Sequence, residues 1–380
     1  MDRMIPQEKA TLPGKIATFL IFISLSELVF KSEQFFYPII VIMLLWCYFQ
    51  KKWPLIKKNY SVLMILYMIY SLYSGLWTPT VGIEKFILVK TAVVFTLILQ
   101  LQFDYTQKDV EILKNTFIFQ LLGLLVVTAI WGHIEADGRL WIESAAPVDP
   151  NSLSSWLIIP VCIAVDQFFT CSHNALKPLY FSFIFICISL AFLCGSRAGV
   201  VSILFCVIVS FIYAMKNTIK YNPGLAVSIF IIGIILMGLA FYSMPESVIN
   251  RFESGNTVEL GGRAILWNEL INAMELYPAN IIIGFGERAT EVYSSNHVAH
   301  NLFFEALFCQ GIIGLTLLLL FILQSFRNAI KKDPYFGIAL IGMMIMSNSL
   351  SEFTSRPVML SFFLAGFSCL NKKQGDKVKV

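Results

Sequence analysis

Apolar runs follow one another along nearly the whole chain, separated only by short polar breaks. A bilayer core is crossed by about 20 residues of helix, and about 17 is the usual lower limit. The runs fall at roughly 16–30, 35–50, 60–77, 84–101, 116–132, 152–169, 179–194, 198–215, 225–242, 303–324, 336–350 and 356–370. This pattern predicts an all-α, polytopic integral membrane protein with about 12 transmembrane helices, a single membrane domain over residues 1–380. Hydrophobic residues make up 57% of the chain and charged residues 14%, which excludes a soluble enzyme built around one small core. The first run carries Glu27 and lacks a small-residue cleavage pattern. It is expected to remain as an anchor.

Charge placement sets the expected orientation. With the N-terminus inside and twelve crossings, both termini are cytoplasmic and 19 of the 28 basic residues fall on the inside, as cytoplasmic loops require. The formal net charge of +4 is then a topology signal and implies no nucleic acid. The basic residue types divide differently. Of 20 lysines 17 fall inside, whereas six of eight arginines fall outside: Arg139, Arg197, Arg251, Arg263, Arg288 and Arg356. A guanidinium fork binds phosphate or carboxylate oxygens in pairs, which an ammonium cannot do. The outer face therefore suits an anionic ligand. Contacts with lipid headgroups or loop carboxylates explain any single arginine equally well.

Three of these arginines share a setting: CGSRAGVV (194–201), LGGRAILW (260–267) and FTSRPVML (353–360). In each, a helix is expected to begin at or just after the arginine, with Ser196 and Ser355 as N-caps and Pro357 in a first turn. A cation at a helix N-terminus is disfavoured unless an anion joins it, taking backbone N–H groups and guanidinium together.

The long segment 243–302 is read as one large extracytoplasmic loop. Inside it, AILWNELINAMELYP (264–278) places Trp267, Leu270, Ile271, Met274 and Tyr277 on one helical face. That face either lies in the membrane interface or packs on the protein. After it comes SSNHVAHNLFFEALFCQGIIG (294–314), where His297, His300, Asn301 and Glu305 are spaced as one polar stripe on a helix starting near 297. An imidazole that titrates near neutrality can take a proton from a hydroxyl, and Glu305 is placed to orient it. The same stripe also reads as a cap bound to its loop, or as two ligands of a metal site with no third at fixed spacing. Arg288 either meets the ligand or pairs with Glu287 or Glu291, and Lys90 either reaches the ligand or, the better reading, snorkels to headgroups. The eight cysteines read as small apolar residues, since none lies in the large loop.

The order GSRAG, GGRAILW, HNLFFEALFCQGIIG, with DPNSLSSWLIIP (149–160) before them, resembles the O-antigen ligase and polymerase family over residues 139–370. The resemblance implies a GT-C-like, metal-independent membrane glycosyltransferase of the cytoplasmic (inner) membrane, without a cofactor. Its donor would be a polyprenyl-diphosphate-linked glycan, and its acceptor a sugar hydroxyl on a glycan or lipid-linked glycan, joined on the extracytoplasmic face. Carried onto this chain, it makes His300 and Arg263 catalytic. Arg197 and Arg263, then Arg356 and Arg139, would hold the diphosphate, and Asn301, Glu305 and His297 would support them. Membrane lipid and other polysaccharide-assembly proteins are the further expected partners. Ligases and polymerases share these motifs. The alternative is a twelve-helix transporter or lipid-linked oligosaccharide flippase, although the polar residues cluster at the outer boundary, with Glu27 and Asp166 the exceptions.

Overall fold

The computed structural model describes residues 11–25, 59–84, 86–88, 90–91, 104–135, 138–144, 148–221, 257–294, 297–350, 355–366 and 368–369, with a few isolated positions besides. The expected spans at 35–50 and 225–242, most of that at 84–101, and Arg251 lie outside the described residues. Elsewhere the protein is helical: α1 (Leu12–Leu25), α2 (Asn59–Ser74), α3 (Gln107–Trp131), α4 (Pro150–Ser155), α5 (Ile158–Thr170), α6 (Lys177–Leu193), α7 (Arg197–Tyr221), α8 (Thr257–Leu276), α9 (Asn280–Ile283), α10 (Thr290–Tyr293), α11 (Leu302–Lys332), α12 (Pro334–Met346) and α13 (Arg356–Gly366). Among the described residues, five helical stretches are long and apolar enough to cross a membrane: 107–131, 150–170, 174–193, 197–216 and 302–332. Four shorter apolar helices accompany them, at 12–21, 62–74, 334–346 and 356–366. Among the described residues strand is confined to short pairs, of which the hairpin of β1 (Gly132–Ile134) and β2 (Leu140–Ile142) follows α3.

Helix α5 is the core, with every residue from Ile158 to Asp166 buried. Helices α3, α6, α7 and α12 pack around it. Facing outward, α3, α7 and α11 expose Val126, Ile130, Val201, Ile212 and Leu319, side chains that suit lipid and would be a liability in water. The polar serines of α4 are affordable because each is satisfied locally: Ser154 donates to the Pro150 carbonyl and Ser155 to the Ser152 carbonyl. Gly199 lets α7 approach α4 closely, since a Cβ there would lie 2.5 Å from that of Ser154.

The charge that the apolar pattern left unexplained, Asp166, has a structural partner. Lys114 of α3 meets Asp166 and Asp333 at 2.6 Å each. Asp333 in turn caps α12 through the Tyr335 N–H. Three helices are thus pinned together at one end of the bundle.

Helix α11 is broken. Gly311 has φ 66 and ψ −170, a conformation essentially reserved for glycine. The break exposes the Phe308 and Cys309 carbonyls, which accept from the N–H groups of Phe285 and Gly286, both at 2.9 Å. A segment between α9 and α10 therefore completes the hydrogen bonding of a membrane helix, as lipid-embedded backbone requires.

Beside the break lies a buried polar cluster. Lys90 pairs with Glu287 at 2.7 Å and donates to Ser71 at 2.6 Å. Ser71 donates to the other Glu287 oxygen, and the Gln310 amide donates to both Ser71 and Glu287. Lys90 is only 4% exposed, which corrects the reading of a headgroup-snorkelling lysine: an acidic partner inside the protein holds it below the surface. Arg288 pairs with Glu291 and lies over the Phe86 ring at 4.5 Å.

Candidate functional site

The site is assembled where α4, α7, α8, α11 and α12 present their ends. Asp149 caps α4, accepting from the Asn151 and Ser152 N–H groups and from the Ser152 hydroxyl. The Ser196 hydroxyl donates to Asn151 at 2.7 Å and accepts from the Gly199 N–H. Ser196 is therefore the expected cap, and it ties the start of α7 to the start of α4. Arg197, the first residue of α7, is partly exposed beside this junction. Arg139 enters from the hairpin, with its guanidinium 5.5 Å from the Trp141 ring. Asp149 and Arg139 both act electrostatically on Cys194, at the end of α6.

The other half comes from the loop before α11. Asn301 caps α11, its side-chain oxygen accepting from the Phe303 and Phe304 N–H groups at 3.0 Å. The helix consequently starts at Leu302, and the expected stripe beginning near 297 does not form. His297 and His300 lie in the preceding loop, with His300 in the left-handed region at φ 51. An asparagine in that position stops the helix from extending backward, because its oxygen replaces the missing carbonyl acceptors.

Glu305, expected to orient the imidazole, is engaged by the loop around it. Its two oxygens accept from the Thr290 hydroxyl at 2.6 Å and the Ala299 N–H at 2.9 Å. Among the described residues no group of three or more His, Cys, Asp and Glu is arranged to hold a metal ion.

His300 keeps open surface, yet enough protein crowds its ring that burial is the largest cause lowering its pKa. Arg263 lowers it further and His297 adds to this, whereas Asp149 raises it. Arg263 and Asp149 are thus both close enough to set the charge of His300. The neutral imidazole, with a nitrogen lone pair available, is the favoured form at neutral pH.

Arg263 sits in the second turn of α8, which begins at Thr257. The expectation of a helix start at or just after Arg263 is corrected. The two glycines before it cost about 1 kcal/mol each in a helix, and the packing of α8 outweighs that. Leu266, Leu270, Ala273 and Met274 bury against Phe285, Ala299 and Phe308, so this part of the amphipathic face meets protein, while Ile271 and Tyr277 remain exposed. The Arg263 guanidinium donates to the Ser349 hydroxyl at 3.4 Å. Ser349 follows α12, whose end also touches α11: the Leu302 N–H donates to Ser347 at 2.9 Å and Asn301 to Asn348 at 3.4 Å.

Arg356 opens α13 as expected, but it is only 4% exposed, whereas Arg139, Arg197 and Arg263 are each partly exposed. The expected Ser355 cap is not made: its hydroxyl is buried without a hydrogen-bond partner among the described residues.

Sequence reasoning missed Asp149 as a neighbour of His300, because as the first residue of an Asp-Pro-Asn-Ser turn it reads only as a helix cap. Of the two readings of the Trp267 face, packing on the protein is the one found for Trp267 itself, whose indole N–H donates to the Ala299 carbonyl at 2.8 Å.

Residues 182–319 match the family model described as O-antigen ligase. The matched stretch carries Arg197, Arg263, His297, His300, Asn301 and Glu305, and leaves Arg139, Asp149 and Arg356 outside it. The match agrees with the resemblance read from the sequence and supports a role as a membrane glycan ligase or polymerase. No curated protein matches the chain.

Proposed function

We propose that this protein transfers a glycan from a polyprenyl diphosphate carrier to a sugar hydroxyl, with the Asp149–His300–Arg263 end of the bundle facing the outside of the cytoplasmic membrane. The observation that carries the reading is an exposed His300 in the loop before α11, with Arg263 and Asp149 close enough to act on its charge. In the reaction the acceptor oxygen attacks the anomeric carbon and its proton passes to His300. The bond from that carbon to the diphosphate oxygen breaks, and the negative charge develops on the leaving diphosphate. Attack opposite the leaving group inverts the anomeric centre.

A diphosphate leaves readily once its charge is met, so the arginines contribute most. Arg263 and Arg197, with Arg139 from the hairpin, neutralise its oxygens, and the α7 N-terminus adds backbone N–H groups capped only in part by Ser196. Arg356, being buried, serves from behind through charge. Loss of one such donor commonly costs about 10²–10³ in rate, and loss of a positioned base about 10²–10⁴. Asn301 and Glu305 support His300 by fixing its loop, and His297 lines the approach.

One observation favours a flippase: α11 is broken beside a buried Lys90–Glu287 pair, and broken helices with intramembrane charge are common in transporters. Here the break is filled by the 284–286 segment, and the reactive residues lie beyond it.

The test is reconstitution in nanodiscs with a polyprenyl-diphosphate oligosaccharide as the only sugar substrate, products being resolved by length. A ladder that disappears in Arg263→Ala and His300→Gln supports a polymerase. Product only on adding a separate glycan-lipid acceptor supports a ligase. Absence of transfer with either acceptor, together with carrier movement across vesicles, would overturn the reading in favour of the flippase.

A further inference from the structure

His300 holds a left-handed backbone conformation, φ 51, that costs a non-glycine residue free energy unless its surroundings over-determine it. The residue before it supplies that constraint. Ala299 is fully buried, its N–H donates to Glu305 at 2.9 Å, and its carbonyl accepts from the Trp267 indole at 2.8 Å. The peptide groups on both sides of Ala299 are therefore gripped, one from α11 and one from α8. The second grip involves the peptide that His300 itself completes.

Trp267 lies four residues after Arg263 on α8, one turn along the same helix. Its ring packs at 5.8 Å against Phe304 in the first turn of α11. Glu305 is anchored in turn by the Thr290 hydroxyl. An interfacial tryptophan normally directs its N–H to headgroups or water, but here that donor is used inside the protein.

We propose that Trp267 and Glu305 are positioning residues which clamp Ala299 from opposite sides and so hold the His300 imidazole in register with Arg263. The clamp links the two groups because Trp267 and Arg263 share one rigid helix while Ala299 and His300 share one fixed loop. This deepens the proposed function and rests on it only for the catalytic consequence. The charged and titratable groups acting on His300 include Arg263 from α8, Asp149 from the start of α4, and His297 from its own loop.

The experiment uses the full chain in nanodiscs with ring-¹³C histidine, the His300 signal being assigned by its absence in His300→Gln. Trp267→Phe keeps the aromatic packing and deletes the N–H. The expected result is a His300 titration that moves upward toward the ordinary imidazole value, as the ring drifts from Arg263. The transfer rate should fall about 10- to 100-fold with little change in donor KM, the usual effect of misplacing a reacting group by about 1 Å. Glu305→Ala should move the titration the same way, and Glu305→Gln, which keeps an acceptor oxygen for Ala299, should restore it. An unmoved titration in Trp267→Phe and Glu305→Ala overturns the clamp. A moved titration in an enzyme whose His300→Gln form turns over at full rate leaves the clamp standing and removes the catalytic reading of His300.

Discussion

At the scale of single residues, the charge of His300 is the quantity the fold controls most directly. Burial and Arg263 disfavour the imidazolium and Asp149 favours it, and the net effect places the folded pKa below the ordinary value. A general base works when unprotonated. The rate should therefore be fully developed at neutral pH and be lost as the pH falls through that lowered value. Two substitutions should move this acid limb in opposite directions. Arg263→Gln removes a neighbouring cation and shifts the limb upward, while lowering the maximum rate by about 10²–10³. Asp149→Asn removes the anion and shifts the limb downward, and asparagine keeps the α4 cap. A kcat/KM profile against pH for the three proteins checks both signs; shifts in a common direction would exclude the two side chains as the local control. The sequence displayed His300 and Arg263 through their surroundings, but the part of Asp149 was hidden. A cap is a local reading, and nothing local shows which distant loop will settle against it.

At the scale of elements, legibility followed the range of the interactions. Helices such as α3, α7 and α12 came from runs of apolar residues, and the α7 cap at Ser196 came from an adjacent position. The starts of α8 and α11 were misplaced because long-range packing carried one helix past two glycines and the Asn301 side chain ended the other. The break at Gly311 gave no signal in an unbroken apolar run, since its hydrogen-bond partners, Phe285 and Gly286, lie in another segment. That segment is held by the buried Lys90–Glu287 pair and by α2 and the turn after it, where Trp77 donates to the Gly284 carbonyl and Thr78 to that of Glu287. Removing one partner of such a pair leaves an uncompensated buried charge, at a cost of about 3–5 kcal/mol. Lys90→Met should therefore lower the thermal midpoint in nanodiscs far more than Lys108→Met, whose ion pair with Glu111 is solvent-exposed and contributes about 0–1 kcal/mol. Equal midpoints would show that the loop is held by its backbone bonds alone.

For the whole molecule, two polar clusters at opposite ends of the same helices set the orientation. Asp149, Ser196, His300 and Ser349 stand near the starts of α4, α7 and α11 and the end of α12, whereas Asp166 and Asp333 stand near the end of α5 and the start of α12 and share Lys114. The lysine-rich connections at 177, 216 and 331–332 fall at the second end, and Arg139, Arg197, Arg263 and Arg356 at the first. Lysine enrichment marks the cytoplasmic side of a membrane protein, so the first end should face outward and the second inward. The chain carries its own reporter for this. Cys171 follows α5 at the lysine-rich end and is partly exposed, while the free cysteines 162, 187, 194, 206 and 309 are buried. With Cys47 and Cys369 replaced by serine, a membrane-impermeant maleimide should leave Cys171 unlabelled in intact cells and label it after permeabilisation. His297→Cys, placed on the exposed loop of the opposite end, should be labelled without permeabilisation. The reverse pattern would put the arginine cluster in the cytoplasm. There an undecorated hydroxyl acceptor and an outward-delivered glycan donor would not meet, and the proposed transfer would fail with the topology.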